Sequence, residues 1–150
     1  MDVKLKPIGI IHSPFKTIED VLADKDKQVI AEIEVFKEYQ EGLRDIDGFS
    51  HIIIVWLFHK SEGFSLKVKP LHYEGLRGVF ATRYPNRPNP LGVSVVELVK
   101  RKGNMLKVKG IDTLDGTPLL DIKPYTRSDR KEKAKFGWLG EKEKNKRKSK

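Results

Sequence analysis

Residues Val29–Phe36 read VIAEIEVF, with Ala31, Ile33 and Val35 alternating with Glu32 and Glu34. A period of two puts the apolar side chains on one face and the carboxylates on the other, which suits an antiparallel strand with one dry face. Other short runs surround it. Leu5–His12 is closed by Ser13-Pro14, and Leu66–Val68 is an edge-like piece that ends at Pro70. Ile52–Phe58 is continuously apolar and reads as a strand buried on both faces. Arg77–Ala81 and Val93–Lys100 flank a proline-rich stretch, and Met105–Gly110 and Thr117–Lys123 are separated by the turn signal LDG. Lys16–Asp26 reads as a polar loop with a helix-like patch, and Lys37–Leu43 as a short helix with Gly42 near its end. About eight short strands with little helix predict an all-β fold, a barrel or a sandwich of mostly antiparallel strands.

The 150 residues suffice for one domain with a real core, and 38% hydrophobic content argues against disorder. There is no cysteine, which excludes a disulfide framework, a thiolate metal site and a cysteine nucleophile. The opening MDVKLKPIGIIHSPF lacks the long apolar core of a secretory signal. No run approaches the roughly 18 apolar residues of a membrane span. A soluble, cytoplasmic protein is the expectation. The net charge of +9 is concentrated at the C-terminus, where Arg127–Lys150 holds 11 Lys+Arg against 4 Asp+Glu. After Pro124 the strand pattern breaks, although Phe136, Trp138 and Leu139 are able to dock a last segment. One domain is therefore expected over residues 1–139, followed by a disordered basic tail at 140–150. Such a tail either solubilises the chain or steers it toward polyanions.

Familiar catalytic signatures are missing: no GxGxxG after a strand, no Walker lysine loop, no GxSxG and no HExxH. The histidines at 12, 51, 59 and 72 have no helical ligand spacing, and no metal is expected. The informative stretch is ATRYPNRPNPLG. Pro85, Pro88 and Pro90 fix their own φ and hold Tyr84, Arg87 and Asn89 extended, so the loop loses little entropy on binding. Arg83 and Arg87 are permanent planar donors for carboxylate or phosphate, and Asn89 offers both donor and acceptor. Gly92 permits a close approach or a positive φ. A rigid surface loop with solvated arginines is the plainer reading; the density of recognition groups favours binding. Further on, Asp115-Gly116 has a turn explanation. Asp121, Lys123 and Tyr125 fall at period two and share a face if extended, as a polar site or as a salt-bridged surface.

FATRYPNRPNPLGVSVVEL and DTLDGTPLLDIKPY, with IGIIHSPFKT and DIDGFSHIIIVWLFH, resemble the TsaA/TrmO family in order from about Ile8 to Leu139. The resemblance implies a barrel-like all-β fold, a homodimer and an S-adenosylmethionine-dependent tRNA methyltransferase. The acceptor it implies is N6 of threonylcarbamoyl-adenosine beside the anticodon. Carried over by position, cofactor contacts fall at His59 and Lys60, at Arg83, at Leu91, Gly92 and Val93, and at Lys109, Gly110, Ile111 and Asp112. Asp121 and Tyr125 are candidates for a base toward the N6 proton. Arg87, Asn89 and Lys123, with Lys146, Arg147 and Lys148 of the tail, are the expected tRNA contacts. One departure stands out. Leu22-Ala23-Asp24 occupies the place of a PRQ-like triplet, so an arginine is lost and an aspartate gained. That change keeps a second reading open, a non-catalytic module that binds RNA or S-adenosylmethionine.

Overall fold

The computed structural model describes residues 1–140. The tail, with Lys146, Arg147 and Lys148, lies outside the described residues. Among the described residues eight strands run in chain order: β1 (Gly9–His12), β2 (Ile30–Val35), β3 (His51–Leu57), β4 (Lys67–Val68), β5 (Arg77–Gly78), β6 (Leu91–Lys102), β7 (Met105–Lys109) and β8 (Thr117–Pro124). Six of them close into an antiparallel barrel in the order β1-β2-β7-β6-β3-β8, and β4 and β5 form a separate two-stranded ribbon. Of the two architectures the strand pattern allowed, the chain is a barrel.

Alternation builds the wall. Ala31, Ile33 and Val35 of β2 point into the barrel and its glutamates point out, as the period requires. Ile11, Ile33, Ile52, Ile54, Leu106 and Leu119 are fully buried and come from five different strands. In β3 only Ile52, Ile54 and Trp56 are buried, while Ile53, Val55 and Leu57 are partly covered. The expectation of burial on both faces fails because a closed barrel has one dry side. The run is apolar because its outward residues Ile53 and Val55 lie against Val95 and Val93 of β6, which are themselves about half exposed.

Two strands differ in extent from their sequence patterns. Leu5 is exposed, and the first ladder begins at Gly9, although Ile8 exchanges backbone bonds with Leu119 and Phe36. Arg77–Ala81 is extended only through Gly78; Val79–Ala81 coils into a 3₁₀ turn that buries Val79. β6 meets β7 through a two-residue turn in which Gly103 takes φ +62°. Glycine at the first central position of such a hairpin supplies the backbone twist at little steric cost.

The helix-like patch is a six-residue helix, α1 (Ile18–Ala23), with a capping box at its start. Thr17 Oγ1 accepts from Asp20 N, and Asp20 Oδ2 accepts from Thr17 N and Lys16 N. Those donors hold the Asp20 carboxyl below its usual range. Lys37–Leu43 is a 3₁₀ helix, as a short helix there predicts. No helix among the described residues is long and apolar enough to cross a membrane.

Candidate functional site

At one end of the barrel the last ladder pair of β3 and β6 is Leu57 with Leu91. Beyond it the two chains stay joined. Phe58 N donates to Pro90 O at 2.8 Å, and Ser61 Oγ donates to Pro85 O at 3.2 Å and to Asn86 Oδ1 at 2.5 Å. The turn that carries His59 and Lys60 is thereby fastened to the proline loop.

The loop is also tied to itself. Arg87 Nη1 donates to Thr82 O (2.8 Å) and Tyr84 O (3.3 Å), and Thr82 Oγ1 donates to Val79 O and accepts from Tyr84 N. Arg87 is half-buried and directs donors inward. Arg83 is exposed and has no hydrogen-bond or ion-pair partner among the described residues. Asn89 is exposed at the tip, with its carbonyl accepting from Leu91 N. The prolines and Arg87 thus hold a shape from which Arg83 projects.

Next to the loop's end runs a polar chain, buried at Trp56 and Ser94 and half-buried at Asp112. Trp56 Nε1 donates to Ser94 Oγ at 3.0 Å, and Ser94 Oγ donates to Asp112 Oδ1 at 2.6 Å. Phe58 meets the indole edge-on, with centroids 4.4 Å apart. Gly92, directly opposite Trp56 in the ladder, is buried under the ring, and a Cβ there would sit 2.4 Å from Trp56 Cζ2. The close approach expected at Gly92 is that of an indole. His59 has its pKa lowered, first by burial and then by the neighbouring Lys60 charge, against a hydrogen bond that it donates to the Leu57 backbone carbonyl and that raises it. Its imidazole is therefore neutral at pH 7 and able both to donate and to accept.

The stretch Lys109–Asp112 is divided. Lys109 stands opposite Glu97 and Ile30, well along the barrel from Gly92. Gly110 turns the chain at φ +94°, its N–H bonded to Val29 O, and Ile111 is buried in the core. Asp112 alone of the four reaches Ser94. It has no cationic partner among the described residues.

Asp121, Lys123 and Tyr125 do follow one another along the outer wall. Lys123 Nζ lies 2.8 Å from Asp121 Oδ2, and that carboxylate raises the lysine pKa. The ion pair is the contact that the salt-bridged reading of this face predicts. A bulge at Leu120 places Asp121 opposite Val55, which itself pairs with Val93. Asp121 is therefore two strands from Val93, about 10 Å at the usual strand spacing. Tyr125 donates its N–H to His51 O at the other end of β3, with the rings 6.1 Å apart. β3 spans roughly 20 Å, so Tyr125 is remote from His59.

Leu22 and Ala23 close α1, and Asp24 is its C-cap. Leu22 is half exposed, and no arginine stands there. Two surface concavities, of about 600 and 590 Å³, lie over the 3₁₀ helix Lys37–Leu43. The second includes Asp121; neither includes His59 or Arg83. Among the described residues no group of three or more His, Cys, Asp or Glu is placed to hold a metal. Trp56, Ser94, Ser61 and Asn86 were not singled out in the sequence. Their signals were a glycine facing a tryptophan and a serine inside an apolar strand.

These features define a class: a small closed antiparallel barrel, without a glycine-rich nucleotide loop, bearing a stiff arginine-presenting loop over one end. Residues 10–129 match the family described as the tRNA-methyltransferase O N-terminal domain. A probable S-adenosyl-L-methionine-binding protein of Pyrococcus abyssi is 54% identical over 137 residues, covering 89% of this chain and 74% of that protein. The tRNA (adenine(37)-N6)-methyltransferase of Mus musculus is 40% identical over 94 residues, 61% of this chain and 22% of the mouse protein. The crystal structure of TrmO from Pseudomonas aeruginosa superposes with a TM-score of 0.74 at 35% identity, over 91% of this chain and 62% of that one. The chain belongs to the tRNA-methyltransferase O family. It spans less than two thirds of the solved TrmO chain and about a fifth of the mouse enzyme.

Proposed function

We propose that this protein is an S-adenosylmethionine-dependent methyltransferase acting on N6 of threonylcarbamoyl-adenosine beside the tRNA anticodon, in the cytoplasm. The observation that carries this is the rigid loop presenting Arg83, which has no partner among the described residues, at the barrel end where Ser94 fixes the Asp112 carboxylate, on a chain of this family. The donor set fits the cofactor. A guanidinium without a partner suits an amino-acid carboxylate, and a carboxylate without a cation suits a sulfonium. When bound, the cofactor supplies an electrophilic methyl group. Lys60 is an exposed second cation for the same end, and the main chain of Leu91 to Val93 and of Gly110 to Asp112 is proposed to meet the adenine.

The chain's own task is positioning. In-line alignment of acceptor and methyl donor is able to supply roughly 7–11 kcal/mol of barrier reduction. A loop stiffened by prolines and by Arg87 keeps Arg83 in place before either partner arrives. Of the two candidate bases, Asp121 shares the level of Val93 and is the one carried forward. Asn89, Lys123 and the tail residues Lys146, Arg147 and Lys148 are the proposed tRNA contacts. Val93 and Val95 form a short apolar patch on the outer wall beside the site, and Glu97 separates it from Val99. We propose that a second copy covers it, as in a homodimer; sedimentation equilibrium gives the mass that decides.

Calorimetric titration of S-adenosylmethionine into the protein and its Arg83→Ala variant tests the reading. Saturable binding is expected, lost in the variant without change in the thermal midpoint. Equal affinity removes Arg83 from the site. Label transfer from methyl-labelled cofactor to tRNA with and without the threonylcarbamoyl group then tests the acceptor. Cofactor binding without transfer to either would establish the second reading, a binding module, which Leu22-Ala23-Asp24 at the end of α1 favours.

A further inference from the structure

Trp138 lies outside the barrel and beyond the span matched to the family, residues 10–129. It is nonetheless held from three sides. Its Nε1 donates to Ala81 O at 2.8 Å. Tyr73 meets the ring edge-on, with centroids 4.9 Å apart and planes at 87°. The Arg77 guanidinium carbon sits 5.0 Å from the ring centroid, within cation–π range. The backbone folds tightly around it, with Leu139 N and Gly140 N both donating to Phe136 O.

All three partners lie in one stretch, Tyr73 to Ala81, which contains β5 and the 3₁₀ turn Val79–Ala81. None belongs to the barrel wall. Ala81 is two residues before Arg83. The next residue, Thr82, is the hub of the loop's own bonding: its N–H goes to Val79 O, its hydroxyl to Val79 O, and its carbonyl receives Arg87. The Val79 end of the turn is fixed by burial. The Ala81 end is exposed and is gripped by the indole. Without Trp138 the root of the loop is held on one side only.

We propose that Trp138 is a positioning residue for the candidate cofactor loop: by clamping Ala81, Arg77 and Tyr73 it fixes the base from which Arg83 projects. This rests on the reading of that loop as the cofactor site. It assigns a role to a C-terminal segment that the barrel itself does not require.

Two variants of the full chain test it, Trp138→Ala and Trp138→Phe. The latter keeps an aromatic ring for Tyr73 and Arg77 and loses the N–H together with the pyrrole part of the indole. Amide hydrogen exchange, measured without cofactor, reads the loop directly. A net hydrogen bond and an exposed cation–π contact together imply about tenfold faster exchange at Thr82 and Tyr84 in Trp138→Ala, and a smaller effect in Trp138→Phe. Exchange at Ile54 and Val96 in the wall is expected to stay unchanged. S-adenosylmethionine affinity, by calorimetry, is expected to weaken by about the same factor and to recover partly in Trp138→Phe. Unchanged exchange at Thr82 and Tyr84 overturns the clamp. So does equal acceleration in the wall, which would make Trp138 a general stabiliser. If the unaltered protein does not bind the cofactor, the cofactor reading fails and the exchange result alone decides the clamp.

Discussion

Replacing Gly92 with alanine puts a methyl where an indole already is. The Cβ would lie 2.4, 2.5 and 2.6 Å from Trp56 Cζ2, Cε2 and Cη2. Carbon atoms rest at about 3.5–4.0 Å, so either the ring or the β6 backbone must shift by about 1 Å. Neither has room. Trp56 is 6% exposed, it is wedged against Phe58, and its N–H is bound to Ser94. Overpacking of this kind costs about 1–3 kcal/mol, and loss of the Trp56–Ser94 bond adds about 1 kcal/mol or more, for a total of about 2–4 kcal/mol. That is a sizeable part of the roughly 5–15 kcal/mol that holds a domain together. Urea unfolding followed by tryptophan emission measures it, with an unchanged m-value showing that the cost falls on the folded state. Trp56→Phe removes the outer ring atoms that the methyl would strike. Gly92→Ala should therefore cost at least about 1 kcal/mol less in that background. Additive costs, or a loss below about 0.5 kcal/mol in Gly92→Ala with an unaltered near-ultraviolet spectrum, would refute the steric clash as the reason for glycine.

His59 gives a pH signature. Its pKa is 6.5 when unperturbed and lower in the folded chain, because burial and then Lys60 disfavour its charge. The unfolded chain therefore binds the proton first, and stability falls as pH drops through about 6.5, levelling once the folded value is passed. His59→Gln should remove that step from a series of urea melts; an identical step would assign it elsewhere. The tail gives a salt signature. Residues 141–150 hold six Lys+Arg against two Glu. Deleting them should weaken tRNA binding and make its salt dependence shallower, by roughly 0.7–0.9 in the log–log slope for each phosphate the tail had neutralised. Equal affinity and slope after truncation would make the tail a bystander to tRNA.

Where the sequence repeated a period, the fold was legible. Alternation in VIAEIEVF marks β2 to within a residue at each end, and the face it names is the buried one. Ile52–Phe58 misled because an unbroken apolar run records that both faces avoid charge, without saying that both are covered. The outward half of β3 lies beside Val93 and Val95 on a bare wall, a fact about neighbouring strands that no window around β3 contains. Val79–Ala81 misled for a similar reason. Its residues are compatible with a strand, but after Val79 N donates to Leu66 O the chain coils into a 3₁₀ turn that buries Val79, so the ladder ends at Gly78.

The site was legible as a segment and illegible as a set of roles. Arg83 and Arg87 are four residues apart in one loop and carry identical chemistry, so composition assigned both to recognition. Topology separates them. Arg87 follows Pro85 and precedes Pro88, which bend the chain so that its guanidinium reaches back to Thr82 O and Tyr84 O; it stiffens the loop from inside. Arg83 comes before the first of these prolines, next to a turn fixed by Val79 on one side and by Trp138 on the other, and its guanidinium has no partner among the described residues. The same division holds for the carboxylates. Asp121 meets a lysine on its own strand, two residues on, as period two predicts, whereas Asp112 reaches Ser94 across eighteen residues of chain. A local pattern suffices to see pairs within one strand. The groups left available for a ligand are those whose surroundings are assembled by long-range closure of the barrel, which is why the structure was needed to tell a structural arginine from a free one.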